Sequence, residues 1–181
     1  MTRFVGLDPS TRCGFVALDT AGGVLQKKEL QGIGKTDPKR MSTQIDEIID
    51  HIYPDDVIVI EGFGFASQQA IQLGGIGWGL RMALFRRGMS YIEASPSQLK
   101  KFASGKGNTK KDELGVHIFK RWGFESSSNN VLDAFVLAHI ALGLNSYNAE
   151  LMSTAFTSFQ REVLEAIESP PEKKAKGKRS L

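Results

Sequence analysis

The sequence predicts a mixed α/β fold: a five-stranded sheet, three antiparallel strands followed by parallel ones, flanked by helices. Three observations carry this. Short apolar runs separated by tight turns open the chain. The run "VIVI" at 57–60 is wholly β-branched, as expected of a central strand covered on both faces. From there on, short apolar runs alternate with segments of helical periodicity.

Arg3 to Asp8 reads as the first strand and Gly14 to Asp19 as the second, with Ser10 to Cys13 as the hairpin between them. After the turn at Thr20 to Gly23, Val24 to Leu30 is the third strand. Gln31 to Pro38 is a polar loop. Lys39 to Ile52 places Met41, Ile45, Ile48, Ile49 and Ile52 at helical spacing. Val57 to Ile60 is the fourth strand and ends at Glu61. A loop and then a helix reach about Arg87, although Gly74, Gly75, Gly77 and Gly79 each weaken that helix by up to ~1 kcal/mol relative to alanine. So many glycines point to close backbone approach by a partner helix or a ligand. Met89 to Glu93 is a fifth strand. Ser95 to Lys101 opens with Ser-Pro and reads as a helical turn. Gly105 to Asn108 is a basic loop, and Lys110 to Trp122 is a helix stopped by Gly123. Ser126 to Asn129 offers helix caps. Val131 to Leu144 is apolar almost all round and reads as a buried helix. Ala149 to Ile167 is amphipathic, and Pro170 and Pro171 end it.

Residues 1–168 are thus expected to form one domain and 169–181 a basic, disordered tail. No apolar run of membrane-spanning length occurs and no secretory signal is read at the N-terminus. The single cysteine, Cys13, excludes an internal disulfide and a multi-cysteine zinc site, which fits a reducing, cytoplasmic setting. The net charge of +3 is unevenly spread. The tail holds Lys173, Lys174, Lys176, Lys178 and Arg179 against Glu172. A second basic cluster comprises Lys100, Lys101, Lys106, Lys110, Lys111, Lys120 and Arg121. Two basic regions on a near-neutral body imply a polyanionic partner, nucleic acid foremost.

Three acids occupy strongly apolar segments: Asp8 at the end of "FVGLD", Glu61 after "VIVI", and Asp133 within "VLDAFVLAHIAL". If the strands bearing the first two are neighbours, Asp133 near the start of a packed helix can join them. Three close carboxylates repel one another and raise each other's pKa unless a counter-charge is present. A divalent cation resolves this. Oxygen ligands without a Cys or His cluster select Mg²⁺, with Mn²⁺ as a substitute, and such a cluster can hold two ions that clamp a phosphodiester. Each acid alone would equally suit a buried, hydrogen-bonded carboxylate or a helix cap. His139 reads as a satisfied core histidine, Trp78 and Trp122 as core or interface, and Cys13 as a small packed side chain.

The segments "GLDPSTRCGFVALD", "VIVIEGFGF", "SPSQLKKFASGKGNTKKDEL" and "NNVLDAFVLAHIAL" resemble, in order and spacing, the four blocks of RuvC-type Holliday junction resolvases, of the RNase H-like superfamily. The first block by itself would also suit the phosphate loop of an actin-like or sugar-kinase ATPase, but that architecture needs a second related domain. The resemblance spans about residues 3–144 and its divergence points to a phage or mobile-element version. It implies an RNase H-like fold and a Mg²⁺-dependent, homodimeric endonuclease acting on four-way or otherwise branched DNA in a bacterial or phage-infected cell. It would leave 5′-phosphate and 3′-hydroxyl ends. Asp8, Glu61 and Asp133 match the family's metal-binding acids, and Lys100 and Lys111 match basic residues that contact phosphates near the cut. A lysine suits that role because its ammonium is a compact charge. Lys101, Lys106 and Lys110 extend the basic surface. Gly74 to Leu84 matches the dimer-interface helix, which would account for its glycines.

Two positions depart from the pattern. Asn130 stands where the family usually has a fourth, acidic ligand. Its amide oxygen can ligate a metal without adding charge, and Asn130 equally suits a helix N-cap. The second is Gly64, where the bacterial enzymes carry an aromatic residue that stacks at the junction centre. Phe63 and Phe65 flank it, and either can stack on a base. A catalytically impaired junction-binding protein and a ribonuclease of the same fold are the competing expectations.

Overall fold

The computed structural model describes residues 1–63, 69–147 and 156–170. Phe65, Gly64 and all but the first two residues of the expected tail lie outside them. Strands β1 (Phe4–Asp8), β2 (Cys13–Leu18) and β3 (Val24–Leu30) are followed by α1 (Lys39–Asp50), β4 (Val57–Glu61), α2 (Ala70–Arg86) and β5 (Ile92–Ala94). Helices α3 (Pro96–Ser104), α4 (Lys111–Trp122), α5 (Asn129–Tyr147) and α6 (Ser158–Glu168) complete the chain. The sheet order is β3-β2-β1-β4-β5. The first three strands pair antiparallel, and β4 and β5 join parallel, as the sequence predicts.

Side-chain alternation along the strands sorts the core into two layers. Val5, Leu7, Phe15, Ala17, Ile58 and Ile60 pack under α1 and α2. Phe4, Val16, Leu18, Val59 and Ala94 pack under α3 to α6. Helix α5 is buried along almost its whole length and lies across β1, β2 and β4. Two glycines permit this. A Cβ at Gly6 would stand 2.0 Å from the Ala134 carbonyl oxygen, and one at Gly14 would stand 1.9 Å from that of Asn130. The helix backbone therefore rests directly on the strands.

Several boundaries differ from the sequence reading. The fifth strand starts three residues later, ends one later and is shorter, Ile92–Ala94. The expected helical turn at Ser95 is a full helix. A capping box joins Ser95 and Gln98, and Gly105 closes the helix in the left-handed conformation. Helix α6 runs over Ser158–Glu168, with Thr157 and Gln160 forming its capping box, while positions 149–155 of the expected amphipathic segment lie outside the described residues. The glycines of α2 mostly serve contacts within the chain. Gly75 faces Met41 and Gly79 faces Ile45 of α1, where a Cβ would meet the Ile45 methyl at 2.4 Å. Gly77 makes room for the Phe63 ring, and Gly74 has nothing within 4 Å among the described residues. Among the described residues no helix is long and apolar enough to cross a membrane.

Candidate active site

The strand register places the first two acids side by side. β1 and β4 run parallel with Leu7 opposite Ile60, so Asp8 and Glu61 follow at the same end of adjacent strands. Alternation turns both toward the α5 face, since Leu7 and Ile60 belong to the other layer. Because Gly6 and Gly14 bring α5 onto the sheet, Asp133 in its second turn arrives at the same end. Asp8, Glu61, Asp133, Asn130, Lys100 and Lys111 line one cleft of about 1140 Å³. Its far wall is Phe63, Trp78 and Arg81.

Asp8 and Asp133 are buried, 6% and 7% exposed. The carboxyls of Asp8 and Glu61 lie close enough to perturb each other's protonation. Burial, followed by the charges of Glu61 and Asp133, pushes Asp8 well above the usual carboxylate range. Burial also raises Glu61. Asp133 is raised to about 7, by burial first and then by Glu61. Lys111 opposes all three shifts, and Lys100 opposes those of Glu61 and Asp133. Two ammonium groups thus leave the carboxylate charge under-compensated.

Among the described residues, no group of three or more His, Cys, Asp or Glu side chains is drawn together as a finished metal cage. Glu61 and Asp133 act on Asp8 through charge, and Glu61 acts on Asp133 in the same way. The donor set nevertheless fits a hard divalent cation: among the described residues the ligand-type side chains of the cleft are carboxylates, the amides of Asn130 and Gln69 and the Ser10 hydroxyl, with neither thiol nor imidazole.

Lys111 begins α4, and Lys110, preceding it, is exposed, as is Lys106 in the loop between α3 and α4. The Ser104 and Thr109 hydroxyls, bonded to each other and to the Lys106 carbonyl, shape that loop. Lys101 points elsewhere and pairs with Glu162 of α6 at 2.6 Å. Phe63 lies against Trp78, ring centroids 5.4 Å apart.

Asn130 is not the helix cap. Ser128 caps α5, accepting from the Val131 amide through its hydroxyl and from the Leu132 amide through its carbonyl. The Asn130 amide nitrogen instead donates to the Arg12 carbonyl at 2.7 Å and toward Glu29 at 3.4 Å. Arg12 pairs with Glu29 at 2.6 Å, and Ser128 also donates to Glu29. This cluster ties the β1–β2 hairpin and β3 to the start of α5. His139 is buried between Trp122 and Phe135, a core histidine but not the satisfied one expected: its Nε2 has no hydrogen-bond partner among the described residues. Burial lowers its pKa to about 4. Trp122 packs against the core and Trp78 is 58% exposed. Cys13 is fully buried.

Sequence reasoning missed Arg81 and the Arg12–Glu29 pair. Arg81 had a readable signal: it is the only charged residue of "GGIGWGLRMALF".

No family model matches the chain. It is 25% identical over 148 residues to the crossover junction endodeoxyribonuclease RuvC of Helicobacter hepaticus, covering 75% of this chain and 80% of that protein. It is 28% identical over 131 residues to the RuvC of a Parafrankia species, covering 65% of this chain and 72% of the other. Among solved structures, T. thermophilus RuvC in complex with a Holliday junction substrate superposes with a TM-score of 0.61, at 17% identity, over 81% of this chain and 95% of that one. The chain is RuvC-like in sequence and fold. Its sheet and flanking helices are the RNase H-like arrangement of its RuvC structural neighbours. At 17% identity the structural likeness speaks for the fold, and the site rests on the residues above.

Proposed function

We propose that this chain is a metal-dependent, structure-selective DNA endonuclease that resolves four-way junctions as a homodimer. The observation that carries the reading is the convergence of Asp8, Glu61 and Asp133 with Lys100 and Lys111 in one cleft. The RuvC relatives, one of them solved on a Holliday junction, supply the substrate class.

In this reading Asp8, Glu61 and Asp133 would hold two Mg²⁺ ions, with Mn²⁺ as a substitute, and Asn130 would lend a neutral oxygen. When bound, the metal supplies charge stabilisation and a more acidic water for phosphodiester hydrolysis. The protein's own share is orientation and electrostatics. Asp8, Glu61 and Asp133 would face the cation as carboxylates, its charge offsetting the burial that raises all three. Lys111 and Lys100 receive the non-bridging phosphate oxygens and offset the charge that grows there. Lys106 and Lys110 hold the flanking backbone, while Phe63 offers a ring for base stacking. Phe65, Lys101 and the tail at 169–181 are weaker candidates. Residues 1–168 form the nuclease unit.

The apolar face of α2 supports dimerisation. Ile71, Trp78 and Phe85 recur every seven residues and are 95%, 58% and 81% exposed. With two active sites related by a two-fold axis, opposed strands of a junction are cut as a pair.

A gel assay with Mg²⁺ on a synthetic four-way junction, a Y-fork, an RNA–DNA hybrid and linear duplex tests the proposal. Junction nicking in preference to duplex is expected, abolished by Asp8→Asn. Intact cleavage by Asp8→Asn rejects the site assignment, and preferred cutting of the hybrid rejects the substrate class. Asn130 favours one second reading, a junction-binding protein with little catalysis, because it lines the cleft in place of an acid and adds no charge to the three carboxylates. Tight, salt-sensitive binding without nicks in either metal would establish it.

A further inference from the structure

Arg81 stands apart from the rest of α2. It is 3% exposed in a helix whose neighbours Trp78, Met82 and Phe85 are open to solvent. A buried guanidinium is tolerated only when its N–H groups find acceptors. Here Nε donates to Glu93 Oε1 at 2.6 Å, Nη1 to the Gly77 carbonyl at 3.0 Å, and Nη2 to the Glu61 carbonyl at 3.2 Å. The Phe63 ring covers the guanidinium, its centroid 4.3 Å from Cζ. One side chain therefore joins α2, β5, the last residue of β4 and the residue two beyond it.

The Glu61 carbonyl is where the chain leaves the sheet. Its other local tether is the Gly62 amide, which donates to the Ala94 carbonyl at 2.8 Å. Fixing backbone there fixes the Cα from which the Glu61 carboxylate projects. A planar fork suits this task, because three acceptors in different directions constrain position and rotation together. A lysine ammonium is a point charge on a flexible stem and lacks that planar fork.

We propose that Arg81 is a positioning residue: it holds Glu61 in its metal-ligating orientation and Phe63 against the cleft wall. Through it the exposed face of α2 and the carboxylate cluster move as one body. The proposal deepens the nuclease reading and rests on it. Outer-shell groups that orient a ligand are typically worth 10–100-fold in metal affinity.

The test compares wild type, Arg81→Lys and Glu93→Gln. Hydrogen exchange at the Gly62 amide reads the position of the strand end with neither metal nor DNA. Calorimetry reads Mn²⁺ affinity, and single-turnover cleavage and junction affinity in EDTA read the enzyme. Arg81→Lys is expected to raise Gly62 exchange at least tenfold and to weaken Mn²⁺ binding about 10–100-fold. It should slow cleavage in proportion and leave junction affinity within about twofold. Glu93→Gln keeps the guanidinium and should shift each readout the same way by less. Gly62 exchange and Mn²⁺ affinity within twofold of wild type in Arg81→Lys overturn the proposal. A wild-type protein that neither takes Mn²⁺ nor cuts rejects the nuclease reading instead, and Gly62 exchange still decides whether Arg81 holds the strand end.

Discussion

Replacing Asp133 by asparagine should stabilise the metal-free protein, and do so only toward alkaline pH. The Asp133 carboxyl is raised from 3.8 to about 7, mainly by burial. An acid whose folded pKa lies above its unfolded one stabilises the fold while protonated. That contribution is intact below about pH 4 and is lost as the pH rises through about 7. At roughly 1.4 kcal/mol per pKa unit, the loss between pH 4.5 and pH 8 is about 3 kcal/mol. An asparagine does not titrate, so Asp133→Asn escapes the loss. For a chain of this size about 3 kcal/mol moves the melting point by about 6–12 °C. Thermal unfolding in EDTA should therefore show the two proteins close together at pH 4.5 and the variant well above wild type at pH 8. Saturating Mg²⁺ at pH 8 should reverse the order, because a ligand bound to the folded state adds stability by mass action and only wild type retains the full ligand set. A melting-point gap that is the same at both pH values, or a variant less stable at pH 8 without metal, would refute the reasoning.

Asn130→Asp in EDTA should lose about 1 kcal/mol of stability, since it exchanges a donor to the Arg12 carbonyl for a carboxylate beside Glu29; unchanged chemical denaturation would contradict this. His139→Phe should gain about 1 kcal/mol over wild type between pH 7.5 and pH 5.5. Burial lowers the histidine to about 4, so stability present above the unfolded value near 6.5 drains away as the pH falls; parallel urea midpoints at the two pH values would count against it. Trp78→Glu and Phe85→Glu should each yield a monomer in light scattering with a melting point near that of wild type. A persistent dimer would move the interface off α2.

Much of the architecture was legible because the signals were local. The β-branched run before Glu61, the hairpin glycines and the helical spacing of Met41, Ile45 and Ile48 all declare their elements within a few residues. The three acids stood out as charges in apolar surroundings. Other features were set by partners distant in sequence. The role of Asn130 depends on Arg12 and Glu29, more than a hundred residues away. The α2 glycines looked like an interface signal, yet Gly75 and Gly79 answer Met41 and Ile45 of α1. Lys101 looked like its neighbour Lys100, but one step along α3 turns it to Glu162. The Thr157 cap of α6 was hidden because the amphipathic pattern runs on upstream of it.

The two borders of the sheet bear on how copies of this chain can meet. At one border, β3 carries Lys27 and Lys28 in succession, and its pairing with β2 shifts register at Ala17 and Leu18. At the other, β5 offers three residues. Charge and irregular register at one side, and brevity at the other, give an incoming strand little to zip onto. Continuation of the sheet from one molecule into the next is thereby discouraged, so the sheet borders favour a finite particle over an open-ended ribbon and leave any contact between copies to helical faces.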